Sequence, residues 1–221
     1  MITYVSHIGY TYDWPKKKLS LKKTQFELYF KKKKLINDNC KKPFLRKNFK
    51  FHDIVFYKNK NWNFGFELIN YKKNFQNQNV NTINNHKTAN LDLDKINKLK
   101  KLYLNSSNVL SDYKLFKNMN FLLNIKFKKN TFHGNLPNFK RKKTQLVVKK
   151  NINKTKIYLD DLGFNFISFF STNIKDDLKR IKKKEINYIS KIFKLKINNN
   201  ILRIVLIRTS GDIIIELIEK R

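Results

Sequence analysis

Histidine, cysteine and acidic residues are the side chains of this sequence that could bind a metal ion or move a proton. The histidines and the single cysteine are far apart and share no spacing typical of a metal site. They are His7, Cys40, His52, His86 and His133. Their separation favours scattered surface or partly buried side chains, so the sequence predicts no metal site and no cofactor.

Two pairs of adjacent aspartates could hold Mg²⁺ for the cleavage of a nucleic acid. Asp160-Asp161 stands where a turn favours aspartate, and Asp176-Asp177 stands where the first turn of a helix favours acid. Metal-binding carboxylates usually come from separate elements around a pocket. The sequence also lacks the G-x-S-x-G, P-loop and G-x-G-x-x-G motifs. We therefore predict a protein that is not an enzyme, with an RNA-processing factor or nuclease as the alternative.

Lysine-rich blocks interleaved with aromatic residues form the most informative pattern. Lysines can follow phosphates while aromatic rings stack on unpaired bases. Phe49, Phe51, Trp62 and Phe64 alternate along the chain, which favours the core face of strands instead. For the two loop phenylalanines, Phe132 and Phe139, stacking on bases and anchoring of the loop stay open. The predicted RNA contacts are Lys16, Lys17, Lys18, Lys31, Lys32, Lys33, Lys34, Phe132, Phe139, Lys140, Arg141, Lys142 and Lys143.

The net charge of the chain is its strongest single property. Lys and Arg number 49 against 16 Asp and Glu, giving a formal charge of +33, whereas a small domain usually carries about 2–8. Such a charge destabilises a compact chain and favours a polyanionic partner, with nucleic acid first and an anionic membrane surface as the alternative. Only six of these residues are arginine, which favours contact with phosphates over reading of base edges.

The remaining composition fits a folded protein of a reducing compartment. The chain of 221 residues is 41% hydrophobic, enough to bury a core. One cysteine excludes an internal disulfide, and no apolar run approaches the ~18 residues of a membrane span. The first residues resemble neither a secretory signal nor a mitochondrial presequence. Abundant Lys, Asn, Ile and Phe beside a single alanine indicate an A/T-rich gene, as in organelle genomes.

The elements that would position these residues predict an α+β fold. Residues 155–221 predict a β-β-α-β-β unit, in which a small, mostly antiparallel sheet is covered by one long helix over 173–194. A second helix is predicted over 90–104 and a final hairpin turns at Ser210-Gly211. The predicted segments are a basic N-terminal extension (1–48), a β-hairpin region (49–71), an Asn-rich loop (72–90), a helix-strand region with a basic loop (91–154) and the α+β domain (155–221).

Together these features resemble an organelle-encoded ribosomal protein, from a protist mitochondrial genome. The resemblance is one of class, resting on lysine-rich extensions, an α+β domain and the lack of catalytic motifs and a targeting peptide. It implies a structural constituent of a mitochondrial ribosome in the matrix, with ribosomal RNA and neighbouring ribosomal proteins as partners and no membrane span. A basic accessory subunit of a respiratory-chain complex is the further alternative.

Overall fold

The computed structural model describes residues 1–12, 26–59, 64–71, 82–83, 86–87, 101–137, 144–151, 156–197 and 199–220. Within these ranges the chain consists mainly of β-strands arranged in two sheets. The strands are β1 (Ile2–Thr11), β2 (Phe26–Ile36), β3 (Phe51–Asn59), β4 (Gly65–Asn70), β5 (Thr82–Ile83), β6 (His86–Lys87), β7 (Lys101–Ser106), β8 (Leu123–Lys128), β9 (Thr131–Asn135), β10 (Gln145–Lys150), β11 (Gly163–Ser171), β12 (Ile186–Ile189), β13 (Phe193–Ile197), β14 (Asn200–Thr209) and β15 (Ile214–Lys220). The helices are α1 (Val109–Asn118), α2 (Ile174–Arg180) and two 3-10 helices, Asn39–Phe44 and Lys183–Glu185.

The larger sheet consists of two halves with the same topology. Its order is β12-β14-β15-β11-β1-β4-β3-β2, and β13 also pairs with β14. In one half β1 is parallel to β4, which is antiparallel to β3, which is antiparallel to β2. In the other half β11, β15, β14 and β13 repeat these directions. Because β1 and β11 pair antiparallel at the centre, a pseudo-twofold axis between them relates the two halves.

The smaller sheet contains the same unit a third time. Its order is β6-β5-β7-β10-β9-β8. Here β7 is parallel to β10, and β9 is antiparallel to both β10 and β8. Helix α1 follows β7, just as α2 follows β11. Apart from β5, β6 and β12, the described strands therefore form three copies of one unit, two of which share a sheet.

The two faces of the larger sheet bury different sets of side chains. On β15, Ile215 and Leu217 face a core shared with the smaller sheet and α1, where the rings of Phe121 and Phe169 lie 4.5 Å apart. Ile214 and Ile218 face the opposite, separate cluster. This alternation follows from the two-residue period of a strand, and it places Glu216, between them in sequence, on the side of the second cluster.

The predicted α+β fold with one long packing helix is wrong, because the protein is mostly β. Helix α2 ends at Arg180, and the remainder of the predicted helix forms a 3-10 turn and the strands β12 and β13. Lys179 and Lys183 would lie four residues apart on a continued helix, where like charges repel. Beyond them the alternating apolar residues of β13 suit a strand, which forms against the free side of β14.

The described end of the second predicted helix, which was expected over 90–104, is a strand. Residues 88–100 lie outside the described ranges, and β7 begins at Lys101. Leu102 and Leu104 are buried and pair with Leu146 and Val148 of β10. The final hairpin is confirmed, since β14 and β15 pair antiparallel on either side of Ser210-Gly211. None of the described helices is long and apolar enough to span a bilayer.

Candidate metal centre

Three buried ionisable side chains converge from three strands of the larger sheet. They are His7 of β1, Glu67 of β4 and Glu216 of β15. The Nε2 atom of His7 lies 3.0 Å from Oε2 of Glu67 and 3.2 Å from Oε2 of Glu216. An imidazole and two carboxylates that meet at one point are a ligand set for a divalent metal ion.

The pairing of the strands explains why these residues meet. Glu67 pairs with Gly9 across β4 and β1, and Glu216 pairs with Ser168 across β15 and β11. The pseudo-twofold axis therefore relates Glu67 to Glu216. It relates His7, which pairs with Gly65, to Phe166, which pairs with Ile214. The centre is thus symmetric except that a phenyl ring stands where a second imidazole would complete the symmetry.

Two phenylalanine rings hold the imidazole of His7 in place. The rings of Phe56 and Phe166 face it edge-on, with centroids 5.3 Å and 5.7 Å from the imidazole. Each ring occupies space that only glycine leaves open. A Cβ atom on Gly65 would lie 2.1 Å from the Phe56 ring, and one on Gly9 would lie 1.8 Å from the Phe166 ring. The two glycines therefore let the aromatic walls approach the sheet and shield His7 from water.

Neighbouring residues also determine the orientation of the His7 ring and its pKa. Ser6 Oγ lies 3.0 Å from Nδ1, which fixes the ring so that Nε2 faces the carboxylates. Burial alone would lower the pKa of His7, but the charges and hydrogen bonds of Glu67 and Glu216 outweigh it and raise the pKa to about 9. Below that pH a proton competes with a metal ion for Nε2.

A cavity of about 420 Å³ opens over the centre. His7, Glu67 and Glu216 line it together with aromatic and aliphatic side chains of β3, β11, β13 and β14. Half-buried Lys41, from the 3-10 helix Asn39–Phe44, lines it as well. Burial lowers the pKa of Lys41, and Glu67, Glu216 and Asp38 oppose that shift. The cavity is within the usual size range of small-molecule sites.

Comparison with known proteins identifies the fold. No protein-family model matches the sequence, and no curated protein is significantly similar to it. Among solved structures, a single-residue mutant of glyoxalase I from Zea mays matches with a TM-score of 0.56 and 13% identity, covering 98% of this chain and 92% of that one. Glyoxalase I from Zea mays itself matches with a TM-score of 0.53 and 12% identity over the same shares of each chain. The chain has the glyoxalase I fold.

The glyoxalase I fold, also called the vicinal oxygen chelate fold, overturns the resemblance to a ribosomal protein. The two matching structures named above are those of an enzyme, glyoxalase I, rather than of a ribosomal component. The predicted structural role, the absence of enzymatic activity, and the ribosomal RNA and protein partners are therefore wrong. Lysine content and the lack of known motifs misled the inference, because neither reports which strands pair. The mitochondrial location stays a prediction.

Within the glyoxalase I fold, the residues predicted to contact RNA lie apart from the metal centre or outside the described ranges. Lys31, Lys32, Lys33 and Lys34 are exposed on the edge strand β2. The segment around Phe132 is strand β9 rather than a loop, and its ring is fully buried, 5.4 Å from that of Phe116. The other predicted contacts, Lys16, Lys17, Lys18, Phe139, Lys140, Arg141, Lys142 and Lys143, lie outside the described residues. A polyanion contact through the exposed lysines stays a prediction.

The aspartate pairs have the structural roles that the sequence indicates. Asp161 binds the Arg46 guanidinium, with Oδ1 2.7 Å from Nε, and Asp160 accepts a hydrogen bond from the Arg46 backbone N–H. Asp176 and Asp177 lie in the first turn of α2, where Asn173 is the N-cap. Neither pair faces the cavity, so the acidic residues of the centre are different ones.

Sequence reasoning missed Glu67 and Glu216, although a signal was present. The stretches Phe66-Glu67-Leu68-Ile69 and Ile215-Glu216-Leu217-Ile218 share the pattern of one carboxylate within an apolar strand. A buried carboxylate is costly unless it is paired or binds a metal. Finding the same unpaired pattern twice, at the ends of two related units, could have indicated a shared site with His7.

A second buried histidine near Lys41 gives the protein a testable sensitivity to acid. His52 of β3 is buried and stacks on Tyr71, with centroids 5.6 Å apart. Burial and the charge of Lys41 lower the pKa of His52 to about 2. Below the ordinary histidine pKa of about 6.5 the unfolded chain binds a proton that the folded chain does not, so stability falls as the pH falls.

Replacing His52 with phenylalanine should remove this loss of stability. Between pH 7 and pH 5 the His52 contribution amounts to roughly 2 kcal/mol, so His52→Phe should unfold at a higher urea concentration than the native protein at pH 5, and the gap should narrow at pH 7. Urea unfolding followed by circular dichroism measures this. His133→Phe, at a half-buried position of β9, is the control; an equal gain there would contradict the assignment.

Proposed function

We propose that this protein is a divalent-metal-dependent enzyme that acts on a small organic molecule bound over His7, Glu67 and Glu216. The convergence of one buried imidazole nitrogen and two buried carboxylates at 3.0 and 3.2 Å, beneath an apolar cavity, carries this proposal. The fold shared with glyoxalase I, an enzyme, supports it.

The residues present fit a divalent cation. Loss of the His7 proton would leave two carboxylates beside a neutral imidazole, and a divalent cation would then compensate their two buried negative charges. Ser168, which pairs with both His7 and Glu216, adds a buried Oγ that has no hydrogen-bond partner among the described residues. The mixture of one nitrogen and two carboxylate ligands suits metals such as Zn²⁺, Mn²⁺ or Fe²⁺.

A bound divalent cation would polarise a substrate oxygen as a Lewis acid. The chain itself supplies the other requirements of catalysis. Three protein ligands leave coordination positions for substrate oxygens, as catalytic rather than structural metal sites do. Phe56 and Phe166 place apolar rings beside the centre. Glu67 or Glu216 could take and return a proton on carbon if it left the cation, with His7 and the other carboxylate still holding it. The reaction class that these parts favour is proton transfer at a carbon next to a carbonyl group.

Metal binding is the first test. Protein stripped with a chelator should take up one equivalent of Mn²⁺ or Zn²⁺ per chain in isothermal titration calorimetry. The affinity should rise as the pH approaches about 9, because His7 must lose its proton before Nε2 can bind the metal. The absence of saturable uptake at one equivalent would contradict the proposal.

Catalysis is tested by exchange of carbon-bound hydrogen. Metal-loaded protein is incubated in D₂O with a panel of small 2-oxo and 2-hydroxy compounds and followed by proton NMR. We expect metal-dependent loss of the signal next to the carbonyl group for at least one compound. Exchange that continues unchanged in the chelator-treated protein would place the chemistry elsewhere.

A further inference from the structure

The cavity over the metal centre is lined by three lysines in an otherwise largely apolar wall. Lys58 and Lys220 are exposed, and Lys58 Nζ lies 3.5 Å from the centroid of the Tyr29 ring. Lys41 differs from both because it is half-buried, with its Nζ atom 5.4 Å from the centroid of the Phe193 ring. Lys41 therefore brings a positive charge into the cavity rather than to its surface.

The position of Lys41 is costly without a negatively charged partner. Moving an ammonium group out of water destabilises its charged form unless an anion compensates it. Among the described residues, no carboxylate forms an ion pair with Lys41. Glu67 and Glu216 attract it from a distance, but their oxygens face His7. The native fold thus holds a lysine in the cavity whose charged form has no short-range carboxylate partner among the described residues.

The surroundings of Lys41 indicate what would pair with it. Apolar and aromatic residues, among them Phe56, Phe166 and Leu206, form most of the cavity wall. They favour a ligand with an apolar body. A carboxylate on that body would replace lost hydration of the ammonium with a charge-assisted hydrogen bond. The metal centre and Lys41 together therefore offer two polar anchors at separate points of one apolar cavity.

We propose that Lys41 forms an anion subsite and that the substrate is a small apolar or aromatic carboxylic acid, whose carboxylate binds Lys41 while other oxygens face His7, Glu67 and Glu216. This inference rests on the proposed function, because the metal centre holds the reacting end. Lys41 is a substrate-binding residue in this arrangement, and no bond to it forms or breaks.

Two probes that differ only by a carboxylate test the subsite. Benzohydroxamate presents two adjacent oxygens to a metal, and 4-carboxybenzohydroxamate adds a carboxylate at the far end of the ring. With Mn²⁺-loaded protein, the acid should bind about tenfold more tightly, as expected for one hydrogen bond to a charged group. Calorimetric titration of both probes measures the ratio directly.

Matched variants separate Lys41 from the general positive charge of the chain. Lys41→Met should bring the ratio of the two affinities close to one, while benzohydroxamate still binds in a metal-dependent manner. Lys42→Met, at the exposed neighbouring position, changes net charge equally and should keep the tenfold preference. Lys41→Arg retains the charge and should keep most of the preference, which guards against a fold defect in the methionine variant.

The outcomes distinguish this inference from the function on which it rests. Equal binding of the two probes to the native protein, or a preference that survives in Lys41→Met, overturns the anion subsite even though metal-dependent benzohydroxamate binding still supports the metal centre. If neither probe binds in a metal-dependent manner, the proposed function fails and the subsite fails with it.

Discussion

Replacing Glu67 with glutamine should weaken divalent-metal binding by at least about a hundredfold. Substitution of residues that merely orient a metal ligand typically costs 10- to 100-fold in affinity, and Glu67 is itself one of the three candidate ligands. The amide also removes one of the two negative charges that would compensate the cation. Titration of chelator-stripped protein with Mn²⁺, monitored by calorimetry and by electron paramagnetic resonance of free Mn²⁺, measures the loss.

Symmetry sharpens this prediction. The pseudo-twofold axis relates Glu67 to Glu216, and both lie about equally far from His7 Nε2, so Glu216→Gln should cost a similar factor. Glu27→Gln, at an exposed position of β2, makes the same change of charge and should leave affinity unchanged. Retention of native affinity in either buried variant would show that the three side chains do not bind the metal.

Replacing Phe166 with histidine should tighten metal binding by about tenfold. Phe166 occupies the position related to His7 by the pseudo-twofold axis, and its ring already lies 5.7 Å from that of His7. The imidazole is smaller than the phenyl ring that now fits against Gly9, so the substitution introduces no added bulk. A fourth ligand adds a metal bond without another buried negative charge.

The gain in Phe166→His should be specific to that position. Phe170 lies four residues further along β11 and also lines the cavity, but the axis does not relate it to His7. Phe170→His therefore serves as the control and should leave metal affinity near the native value. An equal gain in both variants would indicate binding by any added histidine, and no gain at Phe166 would argue against the symmetric description of the centre.

The sequence predicts local elements well where the apolar pattern is short and unambiguous. The alternation in β3 and β4 and the turn between β14 and β15 predict antiparallel pairs, and both pairs form. The helix predicted over 173–194 is wrong because, over such a length, a helix and two successive strands can show the same spacing of apolar residues. Only the requirement of β14 for a neighbouring strand, a tertiary property, decides between them.

The candidate site could not be predicted from spacing, because register rather than sequence distance creates it. His7, Glu67 and Glu216 are spread over almost the whole chain. They meet because β1 pairs with β4 in parallel and with β11 antiparallel, and β11 in turn pairs with β15 in parallel. Spacing rules compare histidines with histidines and adjacent aspartates with each other. They therefore do not detect a site made of one histidine and two single glutamates that lie in separate apolar strands.

The candidate metal centre lies where the two halves of the larger sheet meet. Glu67 belongs to one half and Glu216 to the other, with β1 and β11 between them. A cation bound by both glutamates would link the two halves of the sheet, and its binding free energy would add to the free energy of folding. The temperature of thermal unfolding would then rise with the fraction of the protein that binds metal. A shortage of the metal would lower the amount of folded protein.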